Sequence, residues 1–257
     1  MSEEILINVT PPETRVAVIE NGVAQEIIVE RDGHRGLVGN IYKGKVCRVL
    51  PGMQAAFVEI GLERAAFLHA SDIVTPEHEP RSDNITELVR DGEEIVVQVV
   101  KDPLGTKGAR LTTKISSPSR FLVFMPALHN IGVSQKIEDE EERQRLRNIL
   151  QQFVQNSDRH GGYIARTAAE AVGEEALHAD MRFLAKLWQG IQERCQATSG
   201  VELIHEDLPL ALRALRDLVG PEVEKVRIDS SATRDKAAEF AKQYIPDIEA
   251  RLESVSY

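Results

Sequence analysis

Phe57 and Phe67 stand in short apolar runs broken by glycines, and Lys43, Lys45, Lys107 and Arg110 lie in the text around them. Aromatic rings on the outside of neighbouring strands stack on unpaired bases for roughly 1–3 kcal/mol per base, while nearby cations hold the phosphates. An isolated phenylalanine more often fills a core, and strand alternation alone leaves both placements open. A second group is Tyr163-Ile-Ala-Arg166-Thr167, where an apolar run ends in a guanidinium and a hydroxyl just before small residues and a helix. A strand exit of that kind, with free backbone N–H groups, makes a phosphate receptor. The bland alternative is an exposed arginine paired with a surface acid.

Hydrolytic chemistry has less to work with. Metal-assisted phosphodiester cleavage needs carboxylates converging on metals about 4 Å apart. The candidates are Asp229 at the end of an apolar run and the acids from Glu138 to Glu142, and neither has a convergent partner in the sequence. Acids at the start of a helix answer the helix dipole. The two cysteines, Cys47 and Cys195, are far apart and in no C-x-x-C pattern, which argues against a disulfide framework and a structural zinc site.

At 257 residues and 42% hydrophobic, the chain is long enough to bury one large core or a few small ones. A net charge of -10 by itself opposes nucleic-acid binding. Its distribution softens that: acid gathers at 77–94, at 138–142 and in the tail, while 39–45 and 101–114 are locally basic. No apolar run reaches the ~18 residues of a membrane span. The start MSEEILINV lacks the basic and apolar regions of a signal peptide, so a cytoplasmic protein is expected.

The elements that must position these residues follow from the apolar pattern. Residues 1–33 alternate in β fashion around Asn21-Gly22, predicting a three-stranded meander. Five more strand-like runs at 41–49, 53–60, 64–69, 94–101 and 109–114 suit a small closed barrel, with a mobile loop at 75–84. Beyond Pro118 the pattern predicts strands at 120–125 and 162–166 and helices at 139–155 and 174–195. The second helix carries an apolar stripe of Leu177, Met181, Leu184, Trp188, Ile191 and Cys195, read as core. The tail supplies a helix at 207–218, a strand at 224–229 and a long helix at 232–253, and packs on the opening meander.

The run GNIYKGKVCRVLPGMQAAFVEIGLERAAFLHASDI, Gly39 to Ile73, resembles the first three strands of the S-one domain, an OB-fold RNA-binding barrel. That resemblance favours outward rings at Phe57 and Phe67. Together with NVTPPETRVAVIENG, VQVVKDPLGTKGARLTT, SRFLVFMP, GVSQKIE and GGYIARTAAEAVGEEAL, it makes the whole chain resemble the ribonuclease E/G family, its G branch before its E branch. The fold implied is α+β and multi-domain. A split RNase H-like scaffold takes residues 1–35 and 212–257, a five-stranded OB-fold barrel 36–118, and an α/β 5′-sensor domain 119–211.

The function implied is that of the RNA-recognition half of a single-strand-specific endoribonuclease. Such an enzyme senses 5′-monophosphate ends and acts in maturation of the 16S ribosomal RNA 5′ end and in messenger RNA decay. RNA contacts fall on Phe57, Phe67 and Lys107, with Lys43 and Arg110 as further cations. The 5′-monophosphate falls on Arg166, Thr167 and Val123, with Ser119 where ribonuclease E has glycine. The family's magnesium-binding aspartates and its zinc link between protomers match nothing here. Catalytic and metal-binding residues are therefore expected beyond residue 257, this chain alone is expected to be inactive, and the longer protein is expected to form a homodimer or higher oligomer. No DNA partner is implied. The rival readings are a stand-alone, non-catalytic RNA-binding scaffold and a hydrolase using the local acids.

Overall fold

A computed structural model of the chain describes residues 3–32, 35–75, 82–156, 161–220 and 222–255. They fall into two compact units, one made of Met1–Gly36 with Leu208–Tyr257 and the other of Leu37–Asp207. In the first, β1 (Glu3–Val9), β2 (Glu13–Glu20) and β3 (Val23–Arg31) form an antiparallel meander. Asn21 and Gly22 join β2 to β3 with φ of 49° and 80°. Two successive left-handed residues make the turn whose twist matches the strands it connects, and these two residue types tolerate that region best.

In the second unit β4 (Ile41–Leu50), β5 (Ala55–Glu59) and β6 (Ala66–His69) pair antiparallel in chain order. The short helix α1 (Ile85–Leu88) precedes β7 (Glu94–Lys101) and β8 (Arg110–Thr112). β8 lies parallel to β6 and antiparallel to β7, and β7 pairs with β4, so five strands close into an OB-fold barrel. Val46, Ala56, Val58, Ala66, Leu68, Val97, Val99 and Leu111 fill it, each 1% exposed or less. Of the loop expected at 75–84, residues 76–81 lie outside the described residues. At its end the Asn84 side chain accepts the Thr86 N–H at 3.2 Å and caps α1.

The same unit continues with β9 (Ser117–Pro118), β10 (Leu122–Met125), β11 (Ile131–Val133), α2 (Glu140–Gln155), β12 (Gly162–Ala165), α3 (Glu174–Ala197) and β13 (Glu202–His205). Four of these strands form a second sheet in the order β11-β12-β10-β9. Leu146 and Leu150 of α2 and Leu177, Met181 and Leu184 of α3 pack with Leu122, Phe124, Tyr163 and Ala165 of that sheet. Trp188 packs against this cluster and against a smaller one of Ile41, Ile115, Ile191 and Ile204. The α3 stripe is therefore core, as its spacing predicts. β13, which the sequence pattern did not reveal, adds to the barrel sheet alongside β4.

The chain then returns to the first unit with α4 (Leu210–Asp217), β14 (Val223–Ile228), α5 (Ser231–Tyr244), α6 (Pro246–Glu249) and β15 (Leu252–Ser254). β14 pairs parallel with β1 and β15 parallel with β14, giving a sheet ordered β15-β14-β1-β2-β3. Leu215, Ala237, Ala241 and Ile248 from its helices pack in one core with Ile5, Ile7, Val226 and Ile228. The single helix expected at 232–253 breaks at Ile245, whose φ and ψ are -145° and 62°. Pro246 has no N–H to donate, and its ring drives the preceding residue out of the helical region. Among the described residues no helix is long and apolar enough to cross a membrane.

Gly108 is where the barrel closes most tightly, because a Cβ there would lie 2.1 Å from the Ala65 carbonyl oxygen. Gly108→Ala should therefore cost about 1–3 kcal/mol through forced backbone movement, read as a lower urea midpoint. An unchanged midpoint would contradict the close approach of the chain entering β8 to the start of β6.

Candidate nucleic-acid interface

Alternation along β5 and β6 decides the placement that the sequence left open. Ala56, Val58, Ala66 and Leu68 take the inward positions, so Phe57 and Phe67 point out of the barrel and are only half-buried. The two residues are directly paired across the strands. Their ring centroids lie 6.3 Å apart at 69°, an edge-to-face pair. His69, which sequence reasoning passed over, extends the row: its ring lies 6.5 Å from that of Phe67 at 33°. Its Nδ1 accepts the Ser71 N–H at 3.1 Å, which fixes the ring. The signal that could have found it is its period-2 spacing from Phe67.

Arg48 stands opposite Phe57 and Arg110 opposite Phe67, so a row of cation, ring, ring, cation crosses four strands. The Arg110 guanidinium donates to Asp72 Oδ2 at 3.1 and 2.9 Å, yet its side chain remains 43% exposed. Lys107 is exposed in a turn closed by backbone bonds of 3.1 and 3.0 Å between Leu104 and Lys107. Arg64 donates to the Gly105 carbonyl in the same turn. Lys45 is also exposed.

Lys43 is placed differently from the expectation. Its ammonium donates to the carbonyls of Thr198 at 2.7 Å and Cys195 at 3.4 Å and pairs with Glu94 at 2.9 Å, with 17% of the side chain exposed. It answers the carboxyl-terminal end of α3, where a cation meets the negative end of the helix dipole. The Lys43 hydrogen bond, helped by the Gly200 N–H, holds the Glu94 carboxyl below its usual range. Lys43 thus ties α3 to the barrel and offers little of its charge to a ligand.

The second cluster forms at one end of the four-stranded sheet. β10 and β12 pair Val123 with Ile164 and Leu122 with Ala165. Leu122 and Ala165 are buried, whereas Val123, Ile164 and Arg166 are partly exposed on the opposite face. The Arg166 N–H donates to the Phe121 carbonyl at 2.8 Å and its Nη1 to the Ser119 carbonyl at 2.6 Å. Thr167, exposed, opens a 3-10 turn over Thr167–Ala169, and its Oγ1 lies 3.3 Å from Ser134 Oγ. Ser134 follows β11 and is brought in by its N–H bond to the Ala165 carbonyl at 2.8 Å. Its place beside Thr167 depends on the parallel pairing of β11 with β12, which no local sequence signal announces.

Ser119, expected among the anion ligands, is buried. It is 3% exposed, and its hydroxyl contacts the Leu122 carbonyl at 3.0 Å and the Asp180 carboxylate. Its carbonyl accepts from Arg166 Nη1. The turn after Thr167 is clamped from α2: Glu142 accepts the Ala171 N–H at 2.8 Å, and Arg145 donates to the Val172 carbonyl at 3.0 Å. Ala171 holds a φ of 58°, a strained value for a residue with a side chain.

The acids weighed as metal ligands have structural partners. Asp229 accepts the Val9 N–H at 2.8 Å and the Asn8 side-chain amide. Asp139 caps α2, and Glu142 pairs with Arg145 at 2.6 Å. Among the described residues no group of three or more His, Cys, Asp or Glu could hold a metal. Among the described residues these acids therefore form no donor set for the magnesium or zinc that the resemblance implies.

Residues 116–257 match the model of the Ribonuclease E/G family, and residues 35–114 that of the S1 RNA binding domain. Ribonuclease G of Escherichia coli (strain K12) is 51% identical over 98% of this chain and 53% of its own length. Ribonuclease G of Haemophilus influenzae is 51% identical over 97% of this chain and 52% of its own length. Ribonuclease E of Nostoc sp. is 36% identical over 89% of this chain and 33% of its own length. The chain thus spans about half the length of the ribonuclease G relatives it matches.

Burial pushes the Asp180 carboxyl up to about 6 from an ordinary 3.8, against hydrogen bonds from Ser119, Phe121 and Leu122 and the nearby Arg166 charge. A raised folded-state value means that the stability contributed by the protonated form is complete below about 4 and is lost as pH rises through about 6. Asp180→Asn cannot ionise. Its urea midpoint relative to the native chain should therefore improve between pH 4.5 and 7.5, and a difference that does not move with pH would contradict the burial of this carboxylate.

Proposed function

The chain belongs to the ribonuclease E/G family, and from that premise we propose that it is the RNA-recognition portion of a single-strand-specific endoribonuclease that senses 5′-monophosphate ends. The observation that carries this reading is the outward pair Phe57 and Phe67, with His69 beside them, on a barrel within the same compact unit as Arg166 and Thr167. Stacked aromatic faces take unpaired bases without regard to sequence. Duplex RNA offers no free base faces, so a single strand is the substrate. Lys107 and Arg110 supply charge along the backbone, and Lys43 is left to its helix end.

At the sensor, the guanidinium of Arg166 and the hydroxyl of Thr167 bind the terminal phosphate, and Val123 lines the face beside them. Ser134 adds a second hydroxyl at 3.3 Å from that of Thr167. A 5′-hydroxyl end lacks the charge that this fork matches. The meander completed by two parallel strands supports reading the first unit as a split RNase H-like scaffold.

Cleavage in this account depends on residues outside these 257. The family's paired aspartates would hold magnesium, which polarises the scissile phosphate and activates water, and a zinc link would join protomers into a homodimer or larger assembly. The substrates proposed are ribosomal RNA precursors, including the 16S 5′ end, and messenger RNA under decay, in the cytoplasm. Magnesium added to this chain with a single-stranded RNA should leave the RNA intact on a denaturing gel; specific cleavage lost on changing local acids would favour a hydrolase built from them.

Binding tests the recognition half. Charge-assisted bonds are worth about 1.5–3 kcal/mol each, so Arg166→Ala should weaken binding of a 5′-phosphorylated oligomer about tenfold or more and leave the 5′-hydroxyl oligomer unaffected. Phe57→Ala and Phe67→Ala should each weaken both oligomers, by roughly 1–3 kcal/mol. Equal affinity of the native chain for the two ends would sink the sensor assignment.

A further inference from the structure

A carboxylate lies behind the proposed phosphate site, and no motif points to it. Asp180 sits on α3, which packs against β9 and β10. Its Oδ2 accepts the Ser119 hydroxyl and, at 3.1 Å, the Phe121 N–H. The Leu122 N–H donates to the Ser119 hydroxyl oxygen at 3.2 Å, and the Arg166 charge acts on the carboxylate. The turn it grips is also held within itself: the Ser119 N–H donates to the Leu122 carbonyl at 2.8 Å, and the Ser119 hydroxyl lies 3.0 Å from that oxygen.

That turn carries two anchors of Arg166. The arginine's backbone N–H donates to the Phe121 carbonyl at 2.8 Å, and its Nη1 donates to the Ser119 carbonyl at 2.6 Å. Asp180 therefore bonds the same two residues as Arg166, taking the Ser119 hydroxyl and the Phe121 N–H while Arg166 takes their carbonyls. Holding a charged carboxylate in this largely desolvated place is costly, since burial alone drives it towards the neutral form. An apolar residue would pack there without that cost. Strongly perturbed groups of this kind gather where a neighbouring site needs them.

We propose that Asp180 is a positioning residue for 5′-phosphate recognition, pinning the Ser119–Phe121 turn so that the Arg166 guanidinium is held in the orientation that meets the anion. Asp180 does not touch RNA. Its effect passes through Ser119, which explains why a buried serine stands next to a ligand-binding arginine. The inference rests on the sensor reading above and adds to it the residue that sets its geometry. A fork binds an anion through two parallel bonds, so an arginine that swings loses the selectivity that the fork provides before it loses its charge.

The test measures dissociation constants of the native chain, Arg166→Ala, Ser119→Ala, Asp180→Ala and Asp180→Asn by fluorescence anisotropy. The probes are one single-stranded RNA oligomer with a 5′-phosphate and the same oligomer with a 5′-hydroxyl. Asp180→Ala and Ser119→Ala should cut the preference for the 5′-phosphate about five- to tenfold, while affinity for the 5′-hydroxyl oligomer stays within about twofold. Asp180→Asn keeps an acceptor for the Ser119 hydroxyl and the Phe121 N–H and should recover most of the preference. Should Asp180→Ala fail to fold, Ser119→Ala, which removes a single hydroxyl, carries the comparison. The proposal is overturned if Arg166→Ala abolishes the preference while the Ser119 and Asp180 variants retain it in full. It is also overturned if those variants weaken both oligomers alike, which marks a merely structural role. If Arg166→Ala itself leaves the preference unchanged, the sensor reading fails, and this inference falls with it for a distinguishable reason.

Discussion

The barrel's small interior is the constraint on which the rest depends. Five short strands close on one another, and on the inward side of two of them Ala56 is paired with Leu68 and Val58 with Ala66. Those four positions point inward, so the period-2 geometry of a strand sends Phe57 and Phe67 to the outside. An exposed aromatic pair is costly in water unless something covers it. Here two arginines flank the rings across the strands, and a histidine continues the row. The closure that hides the aliphatic side chains is the same event that creates the stacking surface.

Charge follows a similar division between support and display. A chain of net charge -10 presents an RNA-compatible face because several of its cations remain exposed while others are absorbed by the architecture. Lys43 is absorbed at the end of α3, and Arg143 donates to the Ser134 and Ile137 carbonyls at 2.7 and 3.0 Å, bracing the turn that carries Ser134. Lys107 stays exposed in a turn that the Leu104–Lys107 backbone bonds close. At the second cluster Arg166 is held and partly exposed. Its Nη1 donates to the Ser119 carbonyl, and Thr167 next to it is exposed.

Much of this was legible in the sequence wherever the deciding forces are local. Asn21-Gly22 names its own turn, the α3 stripe names its buried side, and the runs from 41 to 114 give the five barrel strands to within a few residues. Pro246 marks a helix break that the apolar pattern ran across, because periodicity continued where the backbone could not. What stayed hidden depends on partners distant in the chain. The role of Lys43 is set by carbonyls more than 150 positions away, the burial of Ser119 by Asp180, and the placement of Ser134 by a parallel strand. A serine or lysine looks the same in sequence whether it faces solvent or supports a neighbour.

The grip proposed for this molecule has two points within one compact unit, bases on the barrel and a phosphorylated end on the four-stranded sheet. Its most direct test is an NMR titration of this chain with a 5′-phosphorylated single-stranded RNA, following backbone and side-chain shifts residue by residue. A two-point grip gives concurrent changes at Phe57, Phe67, His69 and Lys107 and at Val123, Arg166 and Thr167, with the second group silent when the RNA ends in a 5′-hydroxyl. Changes confined to the barrel with either RNA would contradict it.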